Sequence, residues 1–134
     1  MQISSFDDLL GAARLQPEPQ RLLFVFAVSE LPDGSSDAER ARYEAGEGGA
    51  LTPQVCADKT PDELTDFAAL LRESQQFAPQ WVIVFVAALS GRAGLAASSE
   101  DAAPVLEHMV DAVRNGRLDG LIPFDRSGHA VDLR

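Results

Sequence analysis

The sequence predicts an α/β protein that forms one domain over residues 1–134. Two runs, residues 22–28 and 81–88, contain no polar residue, which is typical of strands covered on both faces of a sheet. Segments with helical spacing precede, separate and follow these runs, in the predicted order α-β-α-β-α-β-α-β-β. Because strands that alternate with helices favour right-handed crossover connections, we expect a four- or five-stranded mixed sheet. This sheet should be mostly parallel, with helices on both faces and a C-terminal β-hairpin.

The N-terminal part of the chain contains two predicted helices and the first buried strand. Ser5 is a suitable N-cap for a helix that ends before Pro17. The apolar face of this helix consists of Phe6, Leu9, Leu10 and Ala13. In the strand at 22–28, alternate side chains point to opposite faces, and both sets are apolar. A capping box at Ser36 predicts a short helix with a thin apolar face, which Gly46 would end.

The middle of the chain contains a weaker strand and a clearly marked helix. Residues 50–57 form the strand candidate, which includes Pro53. Because proline cannot donate a ladder hydrogen bond, we expect this strand at an edge of the sheet or with a bulge. Residues 60–63, Thr-Pro-Asp-Glu, combine a Thr cap, a Pro at N1 and a Glu at N3. They predict a helix that runs to about Gln76, ahead of the strand at 81–88.

The C-terminal part of the chain contains a loop, a helix and two short apolar runs. A loop of small residues, 90–99, precedes a helix that begins near residues 100–101, with Pro104 in its first turn. The buried stripe of this helix consists of Leu106, Met109, Val110 and Val113. The runs 120–124 and 130–133 flank the sequence Asp-Arg-Ser-Gly, which predicts a hairpin. One strand of this hairpin should extend the sheet at an edge, in the antiparallel direction.

Composition and charge exclude several classes of function. The chain carries 21 acidic and 11 basic residues, a formal net charge of −10, and no basic run. Because phosphate contacts supply most of the affinity of nucleic-acid-binding proteins, we expect neither a nucleic acid nor an anionic membrane surface as a partner. The first ten residues contain no basic segment followed by an apolar one, so no signal peptide is predicted. With one cysteine and no apolar run near the ~20 residues that span a bilayer, the expected location is the cytoplasm.

The strongest ligand-binding candidate is the loop after the strand at 81–88. In open α/β sheets, ligands bind beyond the carboxyl ends of the strands. Gly91 permits close approach of a backbone, Arg92 supplies a cation, and a helix starts just after the loop. The loop matches no standard phosphate-binding glycine pattern, and Glu100 and Asp101 follow it, so a plain connecting loop is the alternative. The predicted ligand-binding residues are Ser29, Glu30, Asp58, Lys59, Ser90, Gly91 and Arg92.

No catalytic constellation, metal site or cofactor is predicted. Cys56 is the only cysteine, and a nucleophilic cysteine usually has a histidine partner. His108 and His129 are distant from it in sequence and are expected at the surface, whereas Cys56 is expected to be buried. Only convergence of these three side chains in the fold would create a Cys/His arrangement.

Four segments of the chain are distinctive: QPEPQRLLFVFAVSELP, GEGGALTPQVCADKTPDEL, WVIVFVAALSGRAG and the closing IPFDRSGHAV. They resemble a group of small proteobacterial proteins of unknown function, over nearly the whole chain. Some members of that group are catalogued as a ribonucleotide reductase alpha subunit. The catalytic subunit of that enzyme needs a thiyl-forming cysteine and a reducing cysteine pair, whereas this chain has one cysteine. We therefore do not expect reductase activity.

The sequence leaves two functions open. The first is a non-catalytic binding, regulatory or assembly module, whose partner is another protein or a second copy of the chain in a homodimer. It rests on a well-specified core without a recognisable catalytic constellation. The second is a small-molecule or anion-binding protein, or an enzyme, with its site at the carboxyl ends of strands 22–28 and 81–88. A cleft beneath the loop that contains Arg92, with Glu30 or Lys59 opposite the loop, would weaken the first function. A loop packed flat with no pocket beneath it would exclude the second.

Overall fold

The computed structural model describes residues 3–31, 33–45 and 50–133, in which helices alternate with strands. The helices are α1 (Phe6–Arg14), α2 (Asp37–Glu44), α3 (Phe67–Ser74) and α4 (Ser99–Arg114). The strands are β1 (Gln20–Glu30), β2 (Ala50–Lys59), β3 (Ile83–Ser90) and β4 (Ile122–Phe124). Gly46, which was predicted to end α2, lies outside the described residues. Within the described part of the chain, no helix has both the length and the apolar character that a bilayer span needs.

The four strands form one antiparallel sheet in the order β2-β1-β3-β4. β1 is antiparallel to both of its neighbours, and Leu22 lies opposite Lys59 of β2 and Ala88 of β3. β4 pairs antiparallel with β3. The predicted mixed, mostly parallel sheet is therefore wrong, since every neighbouring pair of these four strands is antiparallel.

The wrong strand direction has a physical cause. A strand covered on both faces is apolar on both faces, whichever way its neighbour runs. The helix between β1 and β2 was expected to cross a face of the sheet, but α2 buries none of its residues. The chain leaves β1, forms α2 at the periphery and returns as the adjacent strand. The thin apolar face of α2 was the sequence signal that this helix covers no sheet.

Helices cover both faces of the sheet, and each face has its own core. α1 and α3 pack on the even-numbered residues of β1, whereas α4 packs on the odd-numbered residues, because side chains alternate along a strand. The first core includes Phe6, Leu10, Leu22, Phe24, Phe26, Leu70, Trp81, Val86 and Phe124. The second core includes Leu23, Val25, Ala27, Phe85, Leu106, Met109 and Val113.

β2 lies at an edge of the sheet, as Pro53 predicted, and it also contains a bulge. The pairing steps from Phe26 with Val55 to Ala27 with Pro53. An extra residue on β2 is thereby left without a partner in β1, which is the definition of a bulge. Beyond the bulge, β2 pairs regularly with β1 and continues past its predicted end, through Lys59.

The single helix predicted over residues 60–76 is divided into two. A 3-10 turn, Pro61–Glu63, is followed by Leu64 in extended conformation. The side chain of Leu64 is only 2% exposed and packs in the first core. Asp66 then caps α3 through its side chain. Burial of Leu64 in this core accounts for the interruption, because a continuous helix would have to redirect that side chain.

α4 begins earlier than predicted and β3 begins later. Ser98 caps α4, so Pro104 lies inside the helix and not in its first turn. β3 starts at Ile83 because Trp81 turns its ring into the first core, where it is fully buried. The indole N–H of Trp81 donates a hydrogen bond of 2.8 Å to the hydroxyl of Ser74.

The predicted C-terminal hairpin is reduced to a tight turn. β4 has three residues and supplies the expected antiparallel edge strand. Beyond the turn, a single bridge joins Phe124 to Ala130. Gly128 in the turn has a φ of +81° and lies against the ring of Phe67, where a Cβ atom would come within 2.9 Å of ring carbons. The turn therefore requires glycine at this position.

Four carboxylates close capping boxes at the starts of helices and of the 3-10 turn: Asp8, Glu39, Glu63 and Asp101. Hydrogen bonds from backbone N–H groups lower the pKa of all four carboxyls, with Ser4 as the main donor for Asp8 and the N-cap residue for the others. Hydrogen bonds from the hydroxyls of the same residues lower each pKa further. The partial positive charge at each of these starts is therefore compensated by a carboxylate of the chain itself.

Candidate functional site

The antiparallel sheet separates the predicted ligand-binding residues into two groups. Gln20, the first residue of β1, pairs with Ser90, whereas Glu30, the last, pairs with Ala50. Ser29 and Glu30 therefore lie at one end of the sheet. The other predicted residues belong to the opposite end: Asp58, Lys59, Ser90, Gly91 and Arg92. The predicted site at the carboxyl ends of both central strands does not form, because these two ends point in opposite directions.

An open cavity of about 500 Å³ lies under the loop that follows β3. Its lining residues are Leu89, Ser90, Gly91, Arg92, Leu95, Ala96, Ala97 and Asp101. The N–H of Gly91 donates to the carbonyl of Pro19 at 2.8 Å, and Arg92 and Leu95 exchange backbone hydrogen bonds of 2.9 Å. A Cβ atom on Gly91 would collide with the carbonyl of Leu95. The loop thus overhangs a cleft, and glycine is needed for its close backbone contact. Neither Glu30 nor Lys59 lines this cavity, so the cleft does not meet the condition that would weaken the first function.

Opposite charges line this cavity. The side chain of Arg92 is exposed, and Asp101 lies in the first turn of α4. The carboxylate of Asp101 accepts the N–H of Ser98 at 3.0 Å. That hydrogen bond is the main cause of the lowered pKa of Asp101, to which the Ser98 hydroxyl and the charge of Arg92 add. Because this carboxylate already occupies the helix start, the cavity lacks the anion site that a free helix N-terminus would provide.

Asp58 and Lys59 are engaged in ion pairs and do not line the cavity. Asp58 accepts hydrogen bonds from Arg21 at 2.7 Å and from the hydroxyl of Ser99 at 2.8 Å. The Nζ atom of Lys59 lies 2.6 Å from a carboxylate oxygen of Glu73. These contacts join β2 to β1, α4 and α3, so both residues contribute to the packing of the domain.

A second cleft, of about 500 Å³, runs between β2 and α4, and we call it the β2–α4 cleft. Its lining residues are Cys56, Ala103, Leu106, Glu107, Val110 and Asp111. The floor is apolar, and the exposed side chains of Glu107 and Asp111 form an acidic rim. Cys56 is exposed here, so its predicted burial is wrong. The reason is that β2 is an edge strand and α4 leaves this part of its face open.

The two histidines do not converge with Cys56. His129 forms a bridge with Ser5 beside α1, on the face opposite to the one that α4 covers. His108 is exposed on α4 and does not line the β2–α4 cleft. Among residues 3–31, 33–45 and 50–133, no group of three or more His, Cys, Asp or Glu side chains is placed to hold a metal ion.

Part of the β2 backbone faces away from the sheet. Within the described residues, β2 pairs only with β1. The hydrogen bond from Gly91 to Pro19 continues the pairing of β1 with β3. The carbonyl of Pro19 therefore points toward β3. Because backbone groups alternate sides along an antiparallel strand, the other odd-numbered residues of β1 also bond β3, and the even-numbered residues bond β2. Opposite those even-numbered residues lie 55, 57 and 59. Cys56 and Asp58 therefore direct their N–H and C=O groups outward.

Sequence reasoning missed the outward backbone and the flank of α4 beside it. Pro53 was a usable signal, since it placed β2 at an edge. On α4, Ala103, Glu107 and Val110 are spaced by four and three residues and so share one flank. That flank shares Val110 with the predicted buried stripe, but Val110 is only partly buried and lines the cleft. Only the packing of α4 on β2 shows that the flank and the outward backbone meet.

Comparison of the chain with protein-family models, with curated proteins and with solved structures gave no match. The resemblance to small proteobacterial proteins therefore stays a prediction, and the function is argued from the geometry of the molecule.

Proposed function

We propose that the chain is a non-catalytic binding module that holds an extended segment of another protein along the outward side of β2. The observation that carries this proposal is the outward direction of the backbone groups of Cys56 and Asp58. An extended peptide adds to an exposed sheet edge through such groups, because they supply unpaired donors and acceptors in register.

The distribution of irregularities along β2 supports the same segment as the binding edge. Prolines and bulges are devices that protect an exposed edge from unwanted pairing. Pro53 and the adjacent bulge lie in the first half of β2. Residues 55–59 pair regularly with β1 and contain neither device. The part of the edge beside the β2–α4 cleft is therefore free of proline and bulge, and its two charged residues, Asp58 and Lys59, are held in ion pairs with Arg21 and Glu73.

A second copy of the chain fits this edge less well than a different protein. Antiparallel pairing of two β2 strands would place the two α4 helices side by side on one face of a continuous sheet. The acidic rims formed by Glu107 and Asp111 would then face each other, in molecules that each carry a net charge of −10. Like charges placed opposite each other oppose association. A homodimer stays an outcome of the test below.

The experiment uses peptides selected from a random twelve-residue display library against the folded chain. Amide hydrogen exchange of the wild-type protein is then measured with and without a selected peptide. We expect the amides of Cys56 and Asp58 to exchange rapidly in the free protein and slowly in the complex. The amides of Val55 and Ala57 point toward β1 and should be protected in both states. Selection of no peptide, or protection that appears elsewhere in the chain, would overturn the proposal.

A matched pair of variants provides the control. Cys56→Pro removes the outward N–H but no ladder bond to β1, and an edge strand tolerates such a proline. Cys56→Ala keeps the N–H. Because the peptide would be left with an unsatisfied acceptor, Cys56→Pro should weaken binding roughly 5- to 100-fold, and Cys56→Ala should not. Equal binding of the peptide by both variants contradicts the proposal. If light scattering gives the wild-type protein twice the mass of one chain and Cys56→Pro restores the mass of one chain, the edge serves self-association.

The cavity under the loop after β3 supports a second candidate, a small zwitterionic ligand. Arg92 and Asp101 place opposite charges around one cavity, as a carboxylate and an ammonium group in one molecule would require. A thermal-shift series with free amino acids tests it, since ligand at a hundredfold excess over Kd should stabilise the fold by about 2.7 kcal/mol. A shift that Arg92→Gln does not remove, or no shift at all, eliminates this candidate.

A further inference from the structure

We infer that the segment held by β2 carries an apolar side chain over the β2–α4 cleft and a basic side chain two residues away, on the side where Glu107 and Asp111 lie. This inference rests on the proposed use of the β2 edge and adds the chemistry of the partner. It follows from what the β2–α4 cleft presents to the side chains of an added strand.

The apolar position is set by the floor of the cleft. In a strand paired beside β2, alternate side chains point to the face that α4 covers. Cys56 points to that face and lines the cleft together with Leu106 and Val110. The residue of the partner opposite Cys56 therefore lies over this apolar floor. An apolar side chain there covers surface that water otherwise contacts, which favours binding.

The basic position is set by the rim of the cleft. The hydroxyl of Ser99, at the start of α4, donates to Asp58, so Glu107 and Asp111, further along α4, lie on the side of Cys56 away from Asp58. The partner residue two positions from the apolar one on that side shares its face and lies nearest to these two carboxylates. Glu107 forms no ion pair within the described residues. Asp111 has one exposed contact, of 3.4 Å, with Arg114. Lysine or arginine reaches such carboxylates on a long side chain, and the net charge of −10 favours a basic partner at long range.

Three peptides tethered to a biosensor surface test this chemistry. The first has the core Thr-Lys-Thr-Val-Thr-Lys-Thr, in which Lys on both sides of Val places one Lys at the acidic rim whichever way the peptide runs. In the second both Lys residues are Glu, and in the third Val is Ser. The first should bind at least about tenfold more tightly than the second, because the contacts of the peptide with Glu107 and Asp111 change from opposite-charge to like-charge. It should also bind more tightly than the third. The charge preference should decline as salt is raised from 0.05 to 0.5 M, in line with ionic screening over roughly 4–14 Å.

Protein variants separate failure of this inference from failure of the proposed function. Glu107→Gln should weaken the Lys peptide about two- to fivefold, whereas Glu44→Gln, an equal change of charge on α2, should not. If all three peptides bind alike and Cys56→Pro weakens all of them, the edge is used but the partner chemistry is wrong. If none of the three peptides binds although the library yields peptides that protect Cys56 and Asp58, the inference alone is overturned. If Cys56→Pro binds the Lys peptide as tightly as Cys56→Ala does, both the inference and the proposed function are overturned.

Discussion

The hydrogen bond between Trp81 and Ser74 gives the sharpest test of how the first core is held together. The indole N–H of Trp81 donates to the Ser74 hydroxyl at 2.8 Å, and that hydroxyl donates to the carbonyl of Leu71 at 2.8 Å. Trp81 and Ser74 are both fully buried. Ser74→Ala removes the acceptor and leaves the indole N–H without a partner in an apolar core.

The expected cost of Ser74→Ala follows from these contacts. An unsatisfied buried donor costs about 1–3 kcal/mol, and the better helix propensity of alanine in α3 returns roughly 0.5 kcal/mol. The free energy of unfolding should therefore fall by about 0.5–2.5 kcal/mol. With Trp81→Phe in place, no indole N–H is present, so Ser74→Ala should then change stability by less than about 0.5 kcal/mol.

Urea unfolding followed by circular dichroism measures the four proteins of this double-mutant cycle. Tryptophan fluorescence is unsuitable because Trp81 is the only tryptophan. Ser127→Ala, at an exposed position in the turn after β4, serves as the control and should be neutral. A similar cost of Ser74→Ala with and without the indole would refute the reasoning, because the cost could not then come from the orphaned N–H.

Three further outcomes are expected. Gly128→Ala should destabilise the fold by about 2–4 kcal/mol in urea unfolding, because the new Cβ meets the Phe67 ring and φ is positive; a neutral result would contradict this packing. Pro104→Ala should raise stability by roughly 1–2 kcal/mol in the same assay, since it restores a helical N–H inside α4, and a loss of stability would count against it. The four capping carboxylates have lowered pKa values in the folded state, so their contribution is complete above the unfolded values and is lost as the pH falls below about 4. The urea midpoint should be lower at pH 3 than at pH 7, and the difference should be smaller in Asp101→Asn. An equal difference in that variant would show that Asp101 makes no contribution.

The residues that define several elements could be read from the sequence because the signals are local. Ser5 and Ser36 cap α1 and α2 as predicted. The two apolar runs mark β1 and β3, and Pro53 marks an edge strand. These features depend on a few neighbouring residues and on the periodicity of burial. They do not depend on which other segment packs against them.

The location of the candidate site could not be predicted from the sequence, because it depends on strand direction. The side-chain pattern of a doubly covered strand is the same in parallel and antiparallel sheets. Assuming parallel strands brought Glu30 and Ser90 together, whereas the antiparallel sheet places them at opposite ends. The exposure of Cys56 likewise depends on how far α4 extends across β2, a contact between segments distant in sequence.

The sequence by itself determined the approximate positions of most elements, which faces are apolar and that the chain carries strong negative charge. Tertiary structure alone decided the order and direction of the strands, the interruption at Leu64 and the meeting of β2 with α4. The physical reason is that hydrophobic periodicity records whether a side chain is buried but not which partner buries it. The outward backbone of β2 and the cleft beside it exist because β2 pairs with β1 at the edge of the sheet and α4 packs beside it.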